Sequence, residues 1–172
     1  MNWEDLRLLI LDVDGVLTDG RLWDGAGGPE AIGGLASKAF HVQDGYAIKL
    51  WQRCGGATAI LSGRRSPAVE RRAAELGIAW CRTGSDDKLA TYHELLKSAE
   101  IGDEQVAYVG DDLPDVPPMT RCAFPVAVRN AVPAVKRWAE YVTKRCGGDG
   151  AVAEIVELVL RKQRRWTGMV QP

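Results

Sequence analysis

The sequence lacks most of the features that would tie a chain to a membrane, a nucleic acid or an extracellular scaffold. No apolar run approaches the ~20 residues that a spanning helix needs. The charges nearly cancel, with 22 Lys and Arg against 23 Asp and Glu. Such a balance offers no basic surface to a phosphate backbone or an anionic bilayer, so neither nucleic acid nor membrane is expected as a partner. The four cysteines, Cys54, Cys81, Cys122 and Cys146, lie far apart with no Cys-x-x-Cys pair. That spacing suits neither a zinc site nor a disulfide framework, and reduced thiols in a cytoplasm are the expectation. Glu4 and Asp5 stand where a secretory signal would carry positive charge. No fixed-period repeat is present. What remains, 46% apolar and 26% charged over 172 residues, can bury one core of ordinary size. A single domain over residues 1–172 is expected.

The most informative stretch runs Leu8-Leu9-Ile10-Leu11-Asp12-Val13-Asp14-Gly15-Val16-Leu17-Thr18. Side chains two apart on a strand share a face, so Asp12 and Asp14 converge where the apolar run ends. Gly15 allows a sharp bend and a close approach to a ligand. Two carboxylates held together repel unless a cation lies between them or one of them keeps a proton. A bare Asp-x-Asp is more often an edge strand running into an acidic turn, so the remaining strands must decide.

Those strands follow in a regular rhythm. Residues 58–61, 79–82, 106–109 and 124–128 read as short buried strands. Helical patterns run from about Gln43 to Cys54, from Pro67 to Leu76, over 88–99, over 134–139 and over 151–161. Ser66 before Pro67 reads as an N-cap followed by a first-turn proline. Two further strands, 18–24 and 36–42, would bracket the Gly-rich stretch 25–34 as a projecting hairpin with a long tip. A basic tail, 162–172, closes the chain. Strand alternating with helix means an α/β fold built on an open, mostly parallel sheet. Ligands of such folds sit beyond the carboxyl ends of the strands.

Four strand ends carry polar residues in order: Asp12 with Asp14, then Ser62-Gly63-Arg64, then the segment leading to Lys88, then Asp111 and Asp112. An oxygen-rich carboxylate set suits a hard cation such as Mg²⁺. Ser62 and the amides after it can hold phosphate oxygens, and Lys88 offers the same phosphate a point charge. Each feature alone is weak. Together they describe phosphoryl chemistry.

These stretches, with Gly110-Asp111-Asp112-Leu113-Pro114-Asp115 as the last, resemble the four motifs of the haloacid dehalogenase superfamily of phosphohydrolases. The resemblance implies a Rossmannoid three-layer sandwich. It implies Asp12 as nucleophile, Asp14 as acid and then base, and Mg²⁺ held by Asp12, the Asp14 backbone carbonyl and Asp111. For Asp112 and Asp115 it leaves open whether they touch the metal or only orient its surroundings and Lys88.

A narrower resemblance, to the branch that hydrolyses 3-deoxy-D-manno-octulosonate 8-phosphate in lipopolysaccharide precursor synthesis, spans nearly the whole chain. It rests on Asp12 to Gly20, Lys38-Ala39-Phe40-His41-Val42-Gln43-Asp44-Gly45, Ser62-Gly63-Arg64, Val106 to Asp112, Tyr141-Val142-Thr143 and Gly147-Gly148-Asp149-Gly150-Ala151-Val152. The branch implies a β-hairpin flap in place of a cap domain, a homotetramer whose neighbours cover each site, and substrate contacts from Arg64 and Arg72. Trp166 in the tail would either be solvated or reach a neighbour's site. Two other readings stand beside it. One is a phosphatase for a nine-carbon keto-sugar acid 9-phosphate, which Arg64 directly after Ser62-Gly63 disfavours. The other is a non-catalytic oligomerisation domain of the same fold, which the intact motifs disfavour.

Overall fold

The structure is a computed structural model that describes residues 1–22 and 38–166. Six strands form one sheet: β1 (Leu8–Leu11), β2 (Ala57–Ser62), β3 (Trp80–Thr83), β4 (Val106–Gly110), β5 (Phe124–Ala127) and β6 (Tyr141–Val142). All neighbours pair parallel, in the order β3-β2-β1-β4-β5-β6. The helices are α1 (Val42–Arg53), α2 (Pro67–Leu76), α3 (Lys88–Ala99), α4 (Val116–Met119), α5 (Pro133–Lys136) and α6 (Ala151–Lys162).

The unbroken apolar run of β1 has a direct cause in this topology. β1 is the central strand, covered on both faces, and all four of its side chains are buried. A strand in that position has no polar face to alternate with. Its register sets Leu8 opposite both Ala57 and Val106, and Leu11 opposite both Ile60 and Val109. The carboxyl ends of β1, β2 and β4 therefore finish nearly level. The strand order reverses at β1, because α3 carries the chain from β3 back across to β4. A crevice opens at that reversal, as it must in an open sheet of this kind.

Helices flank the sheet, with α1 packed against α6 and α2, and α3 against α4. In α6, Val152, Ile155, Val156, Val159 and Leu160 recur at helical spacing and are all buried. Each such side chain contributes about 1.5–3 kcal/mol of burial before the entropy of ordering is subtracted. Asp87 caps α3, its Oδ1 accepting from the Leu89 and Ala90 amides at 2.9 and 3.0 Å. That cap makes Lys88 the first helical residue and fixes the direction of its side chain.

Several details differ from the sequence reading. The described parts of the expected hairpin, 18–22 and 38–41, form no strand, and Val42 opens α1 instead. The rest of that hairpin, including its Gly-rich tip, lies outside the described residues. Pro67 starts α2, but Ser66 makes no capping bond and its buried hydroxyl has no partner. The helix expected over 134–139 is the single turn of α5. The start of the tail is docked. The Gln163 amide donates to Trp3 O at 2.7 Å and to Leu6 O at 3.2 Å. Trp166 is partly buried against the chain's own core, and residues 167–172 lie outside the described set.

Candidate active site

β1 delivers Asp12 in an extended conformation, and Asp14 is extended too, so the expected convergence holds although the strand ends at Leu11. Between Val13 and Thr18 the backbone makes one wide turn, closed by the Thr18 amide and hydroxyl on Val13 O at 3.0 and 3.2 Å. Gly15 sits in this turn at φ 89°. A Cβ there would overlap the Asp111 carboxylate. Glycine is thus the residue that lets the end of β4 close on the end of β1.

Nine of the ten expected site residues line one open cleft of about 460 Å³. Asp12, Asp14, Ser62, Gly63, Arg64, Lys88, Asp111, Asp112 and Asp115 all face it. Arg72 does not. Its Nη1 contacts both Glu75 carboxylate oxygens at 2.8 Å, and its guanidinium stacks over Phe40 at 5.7 Å. A larger hollow of about 640 Å³ between α1 and α6, lined by Tyr46, Leu50, Val156 and Trp166 among others, holds none of the expected site residues.

Lys88 is buried and bridges two carboxylates, Asp12 Oδ1 at 2.9 Å and Asp115 Oδ1 at 2.7 Å. Burial works against its charge, but Asp12 and Asp115 together outweigh that and hold the ammonium above its usual range. Asp115 is fully buried, and four donors reach it. Lys88 Nζ and the Tyr108 hydroxyl reach Oδ1, while the Asp111 and Asp112 amides reach Oδ2 at 2.9 and 3.2 Å. Its oxygens lie close enough to Asp12 and Asp111 to share an ion. Four donors nevertheless use up the lone pairs such an ion would need.

Asp12 and Asp111 are different. The Asp111 Oδ1 atom is buried without any partner. Burial, then Asp12 and Asp115, push the Asp111 carboxyl up to about 8, and burial with Asp115 raises Asp12 to about 6 despite Lys88. The cluster therefore has more carboxyl groups than its one buried ammonium can hold ionised. An orphaned carboxylate oxygen in an all-oxygen cluster is the donor set that a hard divalent cation fits.

Three features of the cleft were not legible as site residues. Lys38 Nζ contacts Asp14 Oδ1, which places a second ammonium where an anionic ligand would compete for it. Ser85 and Asp86 line the cleft beside the end of β2, where the Ser85 amide donates to Ser62 O at 3.1 Å. Lys38 belonged to a stretch already singled out, but nothing in its spacing pointed at Asp14. Ser85 and Asp86 carried only the signal of preceding Lys88.

A haloacid dehalogenase-like hydrolase family model matches residues 83–156. The chain is 44% identical to 3-deoxy-D-manno-octulosonate 8-phosphate phosphatase of Yersinia pestis over 164 residues, covering 95% of this chain and 84% of that protein. Its fold matches the crystal structure of the Yersinia pestis phosphatase with a TM-score of 0.90, at 43% identity over 97% of this chain and 87% of the other. It also matches the phosphatase of the same name from Moraxella catarrhalis, solved with a magnesium ion, a phosphate ion and a KDO molecule. There the TM-score is 0.91 at 36% identity, covering 98% and 94% of the two chains. Among the described residues no helix is long and apolar enough to cross a membrane. The fold, the four converging strand ends and this degree of identity place the chain in the 3-deoxy-D-manno-octulosonate 8-phosphate phosphatase family of haloacid dehalogenase-like hydrolases.

Proposed function

We propose that the protein is a Mg²⁺-dependent phosphatase that hydrolyses 3-deoxy-D-manno-octulosonate 8-phosphate to the free sugar acid and phosphate. The observation that carries this reading is the convergence of Asp12, Asp14, Asp111 and Lys88 in one cleft, in a chain so similar to phosphatases of that name. The same convergence argues against a non-catalytic domain, which would have no use for a strained carboxylate cluster.

In this reading the Asp12 carboxylate attacks phosphorus, and the bond to the sugar's 8-oxygen breaks as Asp14 gives that oxygen its proton. An aspartyl phosphate on Asp12 results. Water then attacks the same phosphorus, Asp14 takes the water's proton, and phosphate leaves with the Asp12 carboxylate restored. Lys88 offsets the negative charge that would keep an anionic nucleophile from an anionic ester. Asp115 holds Lys88 in place, and through the Asp111 and Asp112 amides it also sets the turn that aims Asp111. Ser62 and the amides of Gly63 and Arg64 receive phosphate oxygens. Asp12, Asp111 and the Asp14 carbonyl would hold Mg²⁺, which supplies Lewis-acid charge neutralisation at the phosphoryl group. Asp112 is exposed and its Oδ1 accepts from the Leu113 amide at 2.8 Å, a turn-forming role.

Arg64 at the cleft wall and Lys38 at Asp14 are cations available to the sugar acid's carboxylate. Arg72 would need a neighbouring subunit's site to take part. A cytoplasmic homotetramer belongs to the same reading, supported by four free cysteines and by the exposed apolar side chains of Leu22, Val42 and Tyr46. Sedimentation at assay concentration is expected to return four times the chain mass, and a fully active monomer would contradict it.

The substrate is tested by phosphate release from eight- and nine-carbon keto-sugar acid phosphates. The kcat/KM for the eight-carbon ester is expected to exceed that for the nine-carbon ester by about tenfold or more. The reverse order would replace the substrate while leaving the chemistry in place.

A further inference from the structure

Two stretches that mark the branch, 40–45 and 147–152, lie outside the catalytic cleft, yet the fold joins them to it. We infer that Asn130, acting through Gly147, is a positioning residue that clamps the 13–18 turn, and with it the catalytic carboxylates, from behind. The inference rests on reading that turn as catalytic. Asn130 follows β5 and reaches two backbones at once. Its Nδ2 donates to Gly15 O at 2.9 Å, and its Oδ1 accepts from the Gly147 amide at 2.6 Å. Beside it the Gly148 amide donates to Val16 O at 2.9 Å. Three hydrogen bonds thus sew the 147–148 loop to the catalytic turn.

Space is as tight as the bonding. A Cβ on Gly147 would overlap the Gly15 carbonyl, and a Cβ on Gly15 would overlap Asp111 on the other side. Gly15 is therefore held between the loop and a carboxylate of the cleft, with no slack for it to move toward either. The far end of the loop is fixed as well. The buried Asp44 of α1 accepts from the Ala153 amide in the first turn of α6 at 2.8 Å. This path connects Asp44, the start of α6, Gly147 and Gly15 to Asp111. Catalytic constellations tolerate only about 0.5 Å of error, so a loosened Gly15 reaches Asp12, Asp14 and Asp111 together.

Asn130 touches no reacting atom, so its test must separate positioning from stability. Asn130→Leu removes both hydrogen bonds at similar size, and Asn130→Asp keeps the acceptor for the Gly147 amide but replaces the donor to Gly15 O with a carboxylate oxygen. Gly147→Ala introduces the overlap directly. Val159→Ala, in the buried stripe of α6, lowers stability without touching the path. For Asn130→Leu and Gly147→Ala, kcat is expected to fall by about tenfold or more with KM changed little. Mg²⁺ affinity, titrated calorimetrically without substrate, is expected to weaken by about tenfold in the same two variants. Asn130→Asp, which loses the bond to the catalytic turn, should lose as much of both as Asn130→Leu, and Val159→Ala should keep both despite a lower Tm. A folded Asn130→Leu variant with wild-type kcat and Mg²⁺ affinity would overturn the inference, and so would Val159→Ala matching its losses. If the wild type hydrolysed no sugar phosphate, the functional reading would fail, while the Mg²⁺ titrations would still decide on the clamp.

Discussion

Asp12→Asn is expected to lower turnover by about 10⁴-fold or more, with no loss of fold. The amide keeps the shape of the carboxylate but not its charge, and nothing else in the cleft can accept the phosphoryl group at that position. Removing the charge also removes the burial penalty that chiefly raises Asp12 to about 6, and with it the repulsion that adds to burial in raising Asp111 to about 8. The variant should therefore melt no lower than wild type when both are free of metal. Asp14→Asn is expected to act on both halves of the reaction, with a loss of about 10²–10⁴-fold, the range of a single acid–base group. Steady-state kinetics beside thermal melts separate these outcomes from unfolding. Near-normal turnover by Asp12→Asn would remove the nucleophile from the account.

Removing the metal is the second large effect, and it carries a pH signature. Asp12 and Asp111 are raised from the carboxylate reference of 3.8 to about 6 and about 8 in the folded chain without metal. Between pH 3.8 and about 8 the folded chain therefore binds more protons than the unfolded one. Stability must fall as pH rises through that window, because the unfolded state sheds those protons first. Chelated protein is expected to melt at a lower temperature at pH 8 than at pH 5. Mg²⁺ should restore the loss at pH 8, contributing about 2.7 kcal/mol when it exceeds Kd a hundredfold. Asp111→Asn should behave oppositely to most catalytic lesions. Without metal at pH 8 it should be more stable than wild type, yet respond weakly to Mg²⁺ and lose activity by roughly 10³-fold. A chelated enzyme that kept full activity would show that the carboxylate cluster serves another purpose.

Much of this architecture was legible because buried parallel strands leave strong marks. Leu8–Leu11 read as a short apolar run, and once the strand–helix rhythm gave a parallel sheet, the rule that ligands gather at the carboxyl ends placed Asp12, Ser62 and Asp111 together. Lys88 was legible through its helix start. Asp115 was only half legible. Its place in the fourth motif was plain, but its four hydrogen-bond donors depend on how β4 turns into the segment after it.

What was not legible has physical causes. β6 is two residues long and gives no periodicity. α4 is one turn containing Pro117 and Pro118, too short and too proline-rich to show a helical pattern. Arg72 lies on a helix whose exposed positions are chemically alike, and only packing shows that it pairs with Glu75 rather than facing the cleft. Lys38 follows a Gly-rich stretch without pattern, so its contact with Asp14 could not be foreseen. The Asn130 clamp joins residues more than a hundred positions apart through backbone atoms, which no side-chain pattern encodes.

The central claim is that phosphate passes through Asp12, and rapid acid quenching of the Asp14→Asn variant tests it most directly. That variant keeps the nucleophile but lacks the base that discharges it. Incubated with Mg²⁺ and 3-deoxy-D-manno-octulosonate 8-phosphate, quenched, digested and analysed by mass spectrometry, it is expected to carry one added phosphoryl group on the peptide containing Asp12. Asp12→Asn treated identically should carry none. Phosphate release by wild type with no label ever found on Asp12, or label found on another residue, would contradict the account.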